Sequence, residues 1–388
     1  MKQHLQEKFF EKYGHAEDQI YFAPGRVNLI GEHIDYNGGL VMPCAITFGT
    51  YLLIRKNNEN QIRLSSLNFD DETVLPLASS YEKVGDGWHN YPVGVIHYFL
   101  KGGKDVQGID MLFYGNIPIG SGLSSSASIE MVTAFALNDL FNCGYSKLDL
   151  VKIGKRTENE FIGLNSGIMD QFAIGFGEKD KALLLDCALL KHDAVSCNLH
   201  DYVLAIINTN KPRKLAESKY NERVKECTAA LNALRKKLDI TSLCDINLQT
   251  FQDCRHLIED EVINKRATHI IEENERVKNA AKALVENNLK LFGELMYDSH
   301  RSLKDLYEVS GPELDTIVAY CHDDPGVAGA RMTGAGFGGC AIALVKQAGF
   351  EDFKANIIAF YTDKIGYAPD VYQSFAGAGT GVFEDIFK

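Results

Sequence analysis

No Cys-x-x-Cys pair occurs among the nine cysteines, which are odd in number and scattered from Cys44 to Cys340. This spacing argues against a disulfide framework and against a cysteine zinc site. Positive charge is also scarce: 40 Lys and Arg stand against 52 Asp and Glu, a net charge of −12, so nucleic acid or an acidic membrane surface is not expected as a partner. No apolar run approaches the ~18 residues of a membrane span. The opening MKQHLQEKFFEKYG alternates charged and apolar residues where a secretory signal needs an apolar core, and a soluble, cytoplasmic protein is expected. No G-x-x-x-x-G-K-[ST] occurs, which excludes a P-loop nucleotidase, and no H-E-x-x-H suggests a transition metal. Internal repeats and low-complexity tracts are lacking too.

What is there reads as an ordinary globular chain of 388 residues, 45% hydrophobic and 24% charged, long enough for two domains. Short β-rich runs at 50–55, 108–113 and 182–185 mark the first half. After a strand-like VLAIIN, three helical patterns fill about 214 to 306: Val224, Cys227, Leu231, Leu234 and Leu238; then Ile270, Val277, Ala281 and Leu284; then Leu291, Leu295, Leu303 and Leu306. A strand at 340–345 and a helix at 350–364 follow. The fold class expected is α+β, with domains at 1–195 and 196–388.

Three segments concentrate unusual chemistry. In PGRVNLIGEHIDYNGG (24–39), strand alternation puts Arg26 and Asn28 on one face, and turn residues bracket Glu32, His33 and Asp35. Donors and acceptors so close together suit a polyhydroxyl ligand; a solvated loop is the other reading. In NIPIGSGLSSSASIE (116–130), two glycines and the four serines Ser121, Ser124, Ser125 and Ser126 run into a helix striped by Ile129, Val132, Ala136 and Leu140. A glycine-rich loop opening a helix N-terminus favours an anion, and serine hydroxyls can meet phosphate or Mg2+; simple capping is the alternative. In MTGAGFGGCAIALV (332–345), Gly334, Gly336 and Gly339 satisfy G-x-G-x-x-G, but a strand follows them where a dinucleotide site needs a helix. They form either an active-site wall or a tight connection.

Two acids stand apart. Glu158 shares a helical face with Leu148, Val151, Lys155 and Ile162, which points it inward or into a salt-bridged stripe. Asp170 lies in the apolar context GIMDQFAIGF, where a buried carboxylate needs a partner or a function.

The three segments, in this order, resemble the motifs of the GHMP small-molecule kinase superfamily, and GRVNLIGEHIDYNGG, IGSGLSSSAS, GIMDQF and TGAGFGG are similar to those of its galactokinases. The resemblance implies a first domain like domain 2 of ribosomal protein S-five and a ferredoxin-like second domain, with the active site in the cleft between them. It implies transfer of the ATP γ-phosphoryl group to the anomeric hydroxyl of α-D-galactose, in galactose catabolism by the Leloir pathway. Its galactose contacts fall on Arg26, Glu32, His33, Asp35, Gly167, Asp170 and Tyr220. The phosphate cradle falls on Gly120, Ser121, Gly122, Leu123, Ser124, Ser125 and Ser126, and the Mg2+ ligands on Ser126 and Glu158. Trp88 and Tyr91 correspond to residues flanking the nucleotide base, and Gly334, Gly336 and Gly338 to cleft-lining glycines. In this reading Asp170 accepts the proton of the sugar hydroxyl, and Arg26 favours its ionised form and stabilises charge on the transferring group. A monomer with galactose and MgATP as its partners is expected. Ile34 replaces the Thr of many relatives. Ser126 and Ala127 are both present, unlike in galactose sensors that lack part of this segment. An N-acetylgalactosamine or other sugar 1-kinase and a non-catalytic sensor are the alternatives.

Overall fold

The computed structural model describes every residue except 119, 213–215 and 388. In chain order its strands are β1 (Gln19–Asn28), β2 (Leu40–Val41), β3 (Pro43–Lys56), β4 (Gln61–Ser66), β5 (Thr73–Pro76), β6 (Ile109–Gly115), β7 (Lys181–Asp186), β8 (Lys191–Ser196), β9 (Tyr202–Asn208), β10 (Val327–Thr333), β11 (Cys340–Lys346), β12 (Asp370–Ser374) and β13 (Gly381–Val382).

The first sheet has the order β13-β1-β3-β6-β4-β5, with β4 and β6 parallel and the other neighbours antiparallel. Its central strands are apolar on both faces, because both faces are covered. Side chains alternate across a strand, so Tyr21, Leu52, Ile54, Met111 and Phe113 enter the main core. Ile20, Phe22, Tyr51, Leu53 and Leu112 point the other way, where Leu5 and Phe9 of the helix Lys2–Tyr13 close over them. Burying each such side chain contributes about 1.5–3 kcal/mol. On the main-core face the helix Ser125–Leu140 packs on β1 and β3, and beside it lie Asn90–Lys101, Lys147–Arg156 and Met169–Phe176.

The second sheet, β10-β11-β9-β12, is antiparallel throughout. Taken in chain order its strands lie second, third, first, fourth, the ferredoxin-like arrangement that the resemblance implies. Helices Leu289–Ser302, Pro312–Asp323 and Phe350–Ile365 pack against it. Between β9 and β10 the chain also carries Ala216–Leu234 and Glu261–Val285; the expected helix start near 214 lies outside the described residues. A small third sheet, β2-β7-β8, meets the helix Glu261–Val285. The last strand, β13, returns to pair with Tyr21 and Phe22 of β1.

One expected pattern is corrected. The stripe from Leu148 to Ile162 is not one α-helical face: the helix Lys147–Arg156 passes into a π-helical turn over Thr157–Ile162. Glu158 is buried, as its inward reading expects, while Lys155, still within the α-helix, stays partly exposed. The salt-bridged surface stripe is not formed.

Candidate active site

The first two motifs meet at a β-bulge. The register of β1 on β3 shifts between Pro24 and Arg26, and a Cβ on Gly25 would lie 2.7 Å from the Leu123 carbonyl oxygen. Glycine there lets the serine loop approach β1: Arg26 N–H donates to Leu123 O at 3.1 Å and Nη1 to Gly122 O at 2.9 Å. The fork of Arg26 then grips Asp170, Nε to Oδ1 and Nη2 to Oδ2, both at 2.8 Å. Burial alone would lower the Arg26 pKa, but the charges of Asp170 and Glu32 outweigh it and raise the value. Asp170, in the first turn of Met169–Phe176, also accepts from the Ser124 hydroxyl. Its side chain stays 26% exposed toward the cleft.

Gly120, Gly122 and Ser124 all take positive φ, 73°, 75° and 62°. Ser124 occupies the N-cap position of Ser125–Leu140, yet with its backbone left-handed and its hydroxyl turned to Asp170 its side chain makes no capping bond. The capping reading of the serines therefore fails, and the helix start keeps N–H groups without a side-chain cap. Ser126 Oγ donates to Glu158 Oε1 at 3.0 Å. The other Glu158 oxygen accepts from Ser166 Oγ at 2.6 Å and Gln171 Nε2 at 2.9 Å. Gln171 Nε2 also donates to Glu130 Oε2 at 3.0 Å. Burial, and then the charge of Glu158, pushes the Glu130 carboxyl well above its ordinary range. Two cradle residues turn away: Ser121 bonds Pro118 O at 2.6 Å, and the Leu123 side chain lies in the core.

Beside the loop opens a cavity of about 200 Å3, walled by Phe69, Trp88, Tyr91 and Phe113 and closed at one end by Gly120, Ser125 and Ser126. Trp88 stacks on Phe69 at 6.3 Å and 15°, meets Phe113 edge-on at 5.5 Å and donates Nε1–H to Asp71 at 3.0 Å. Aromatic walls next to an anion-binding loop suit a flat base carrying phosphates. A larger cleft of about 410 Å3, lined by Tyr297, His300 and Lys304, contains no motif residue, so volume alone does not identify the site.

On the other side of Asp170 lies the loop with Glu32, His33 and Asp35. Buried Glu32 accepts from Gly334 N–H at 2.7 Å and Thr333 Oγ at 3.1 Å. His33 faces the Ala335 carbonyl through Nε2 at 3.1 Å and the Tyr36 hydroxyl through Nδ1 at 2.9 Å. Burial depresses its pKa to about 3, so the ring is neutral, with its proton assigned to Nε2 by the carbonyl partner. Asp35 lies so close to Gly167 that a Cβ there would come within 1.6 Å of Oδ2. Burial, and then the charge of Asp170, lifts the Asp35 pKa to about 7. The Tyr220 ring sits 5.5 Å from both His33 and Tyr36. Burial, then Asp35 and Asp170, keeps its phenol protonated.

The third motif is the turn between β10 and β11. A Cβ on Gly334 would lie 3.4 Å from Gly122 O, so this turn touches the serine loop. Gly336 packs against Val309 O and Gly338 against Lys211. The turn is thus both a wall and a tight connection.

Several residues of this site carry no signal in the linear sequence. His269 Nε2 lies 3.2 Å from Glu32 O, Glu273 accepts from Gly31 N–H at 3.0 Å, and Asn274 accepts from Leu40 N–H at 2.9 Å. All three sit on Glu261–Val285 and hold the loop backbone from the second half of the chain. Phe69 and Phe113 of the aromatic cavity, with Glu130, Ser166 and Gln171 behind Glu158, were also not singled out. Of these, Gln171 beside Asp170, Ser166 beside Gly167 and Glu130 at the end of the serine motif have motif neighbours to mark them.

Three family models match the chain: the galactokinase galactose-binding signature over residues 7–56, the GHMP kinases N terminal domain over 90–178 and the GHMP kinases C terminal over 280–362. Galactokinase of Clostridium tetani is 49% identical over 378 residues, 97% of this chain and 96% of that one. Galactokinase of Enterococcus faecalis is 50% identical over 377 residues, 96% of this chain and 97% of that one. The crystal structure of Lactococcus lactis galactokinase complexed with galactose matches with a TM-score of 0.96 and 47% identity, spanning 98% of this chain and 100% of that one. A mevalonate kinase structure, 24% identical, shares the fold with a TM-score of 0.67 over 92% of this chain and 98% of its own. With relatives of this similarity along nearly its whole length, the chain belongs to the galactokinase family of the GHMP kinases.

Proposed function

We propose that this protein phosphorylates α-D-galactose at its anomeric hydroxyl with ATP, giving α-D-galactose 1-phosphate and ADP. The observation that carries this reading is the place of the Arg26–Asp170 pair, between the serine loop and the loop of Glu32, His33 and Asp35. A sugar hydroxyl and a phosphate chain held by those two loops would meet at Asp170.

Phosphoryl transfer needs positioning and charge neutralisation more than covalent work. Glu32, Asp35 and Tyr220 offer acceptors and a donor to sugar hydroxyls, and the backbone at Gly167 lies against Asp35. Asp170 accepts the proton of the 1-hydroxyl. Arg26 orients that carboxylate with two of its five N–H groups and ties it to Gly122 with a third. Its positive charge lies beside the developing charge of the transferring group. The backbone of Gly120, Gly122, Ser124 and Ser125, with the uncapped helix start, cradles phosphate, and Trp88 and Tyr91 flank the base.

Among the described residues no three His, Cys, Asp or Glu side chains gather as a metal centre. The hydroxyl of Ser126 beside the carboxylate of Glu158 is a hard oxygen pair of the kind Mg2+ accepts when phosphates and water complete its shell. Bound there, Mg2+ would neutralise charge on the β- and γ-phosphates. No helix of the described residues is long and apolar enough to cross a membrane, and a cytoplasmic monomer fits this reading.

The test is ADP release with MgATP and galactose, run beside N-acetylgalactosamine and glucose. Galactose-dependent release supports the reading. Preference for N-acetylgalactosamine would reassign the substrate, and binding without turnover would make the protein a sensor.

A further inference from the structure

We propose that Arg331 is a positioning residue for sugar recognition, supplying the buried counter-charge that holds Glu32 as the acceptor of a sugar hydroxyl. The proposal rests on the galactose reading of Glu32 given above.

Arg331 lies on β10, three residues before Gly334, with no exposed surface. Its Nη1 donates to Asn28 O at 2.9 Å and stands 3.5 Å from Glu32 Oε1. The neighbouring guanidinium groups are engaged elsewhere: Arg26 grips Asp170, and Arg276 bonds Glu273. Arg331 is the cation in ion-pair contact with Glu32, and the charge of Arg26 acts on it more weakly. Gly334 N–H and Thr333 Oγ also end on Oε1, so β10 fixes one carboxylate oxygen and leaves Oε2 as the one it does not use.

Arg331 holds this place at a cost. Its Nε and Nη2 are buried without a hydrogen-bond partner, and an apolar side chain of similar volume would fill the same space without that penalty. A charge kept there serves another charge, and Glu32, buried as it is, would lose its ion pair without it.

The test measures galactose affinity by calorimetry, with steady-state kinetics, for the wild type, Glu32→Gln, Arg331→Met, Arg331→Lys and the double variant Glu32→Gln/Arg331→Met. Loss of an interaction with a buried charge predicts that Arg331→Met weakens galactose binding about tenfold or more, with the ATP KM within about twofold. Arg331→Lys, which keeps the charge, should restore part of the affinity. The double variant should bind galactose no more weakly than Glu32→Gln alone, because the charge that Arg331 serves is gone. If Arg331→Met does not fold, the Lys variant and the double variant carry the same comparison. Unchanged galactose affinity in Arg331→Lys and Arg331→Met, or additive losses in the double variant, would overturn the proposal. Unchanged affinity in Glu32→Gln would instead overturn the sugar contact beneath it.

Discussion

Glu130 and Glu158 share a single amide: Gln171 Nε2 lies 3.0 Å from one carboxylate and 2.9 Å from the other. Two carboxyl groups this close cannot both stay charged cheaply in a buried site. Burial, and then the charge of Glu158, keeps Glu130 protonated. Gln171→Leu removes the donor that orients Glu158 and should raise the free Mg2+ needed for half-maximal rate several-fold, while Glu130→Gln, neutral for neutral, should leave it nearly unchanged. Magnesium titrations of the two variants check this, and equal shifts in both would remove the orienting role of Gln171.

Asp170→Asn keeps the shape of the site but removes the carboxylate proposed to accept the proton. The turnover number should fall by about 10²–10⁴-fold, the range for losing a positioned general base, while galactose still binds. A variant that keeps most of its turnover would sink the role assigned to Asp170.

Asp35 gives the site a pH signature. Its pKa is raised from 3.8 to about 7 in the folded chain, so the folded state binds the extra proton between those values and loses stability as pH rises through that window. Asp35→Asn removes the titrating group. The ligand-free variant should gain in Tm relative to wild type more at pH 8 than at pH 4.5. Equal differences at both pH values would mean that Asp35 titrates normally. Galactose affinity of the wild type should also weaken below pH 7, as the acceptor takes up its proton.

Trp88 is the only tryptophan in the chain, and it walls the cavity beside the serine loop. Its fluorescence should change on adding ATP and stay unaffected by galactose alone. Trp88→Ala should raise the ATP KM about tenfold, in line with the ~1–3 kcal/mol of a base stacked on an aromatic ring, and leave the galactose KM unchanged. An ATP KM that does not move would place the base elsewhere.

Much of the local architecture was legible in the residue pattern. The strands at 50–55 and 340–345 and the helix from 350 lie inside β3, β11 and Phe350–Ile365, and 108–113 overlaps β6 from Ile109 on, because side-chain periodicity and burial act over a few residues. The glycine-serine run does open a helix. The inward reading of Glu158 holds, but the π-helical turn that carries it leaves no mark in composition. Ser124 does not cap that helix, and the reason lies out of sight of the sequence: its hydroxyl donates to Asp170, 46 residues away.

By itself the sequence determined which backbone shapes were available: glycine where φ must be positive, continuous apolar runs where strands are buried on both faces, and serines where a helix begins. It also placed the chain in its family through three short motifs. Tertiary structure alone decided which charges meet: Arg26 with Asp170 across 144 positions, and Glu32 with the Gly334 amide across 302. It also set Arg331 against Glu32, and the helix Glu261–Val285 behind the sugar loop. The reason is physical: hydrogen bonds and buried ion pairs depend on distances of about 3 Å through space, and no local periodicity carries that distance along the chain.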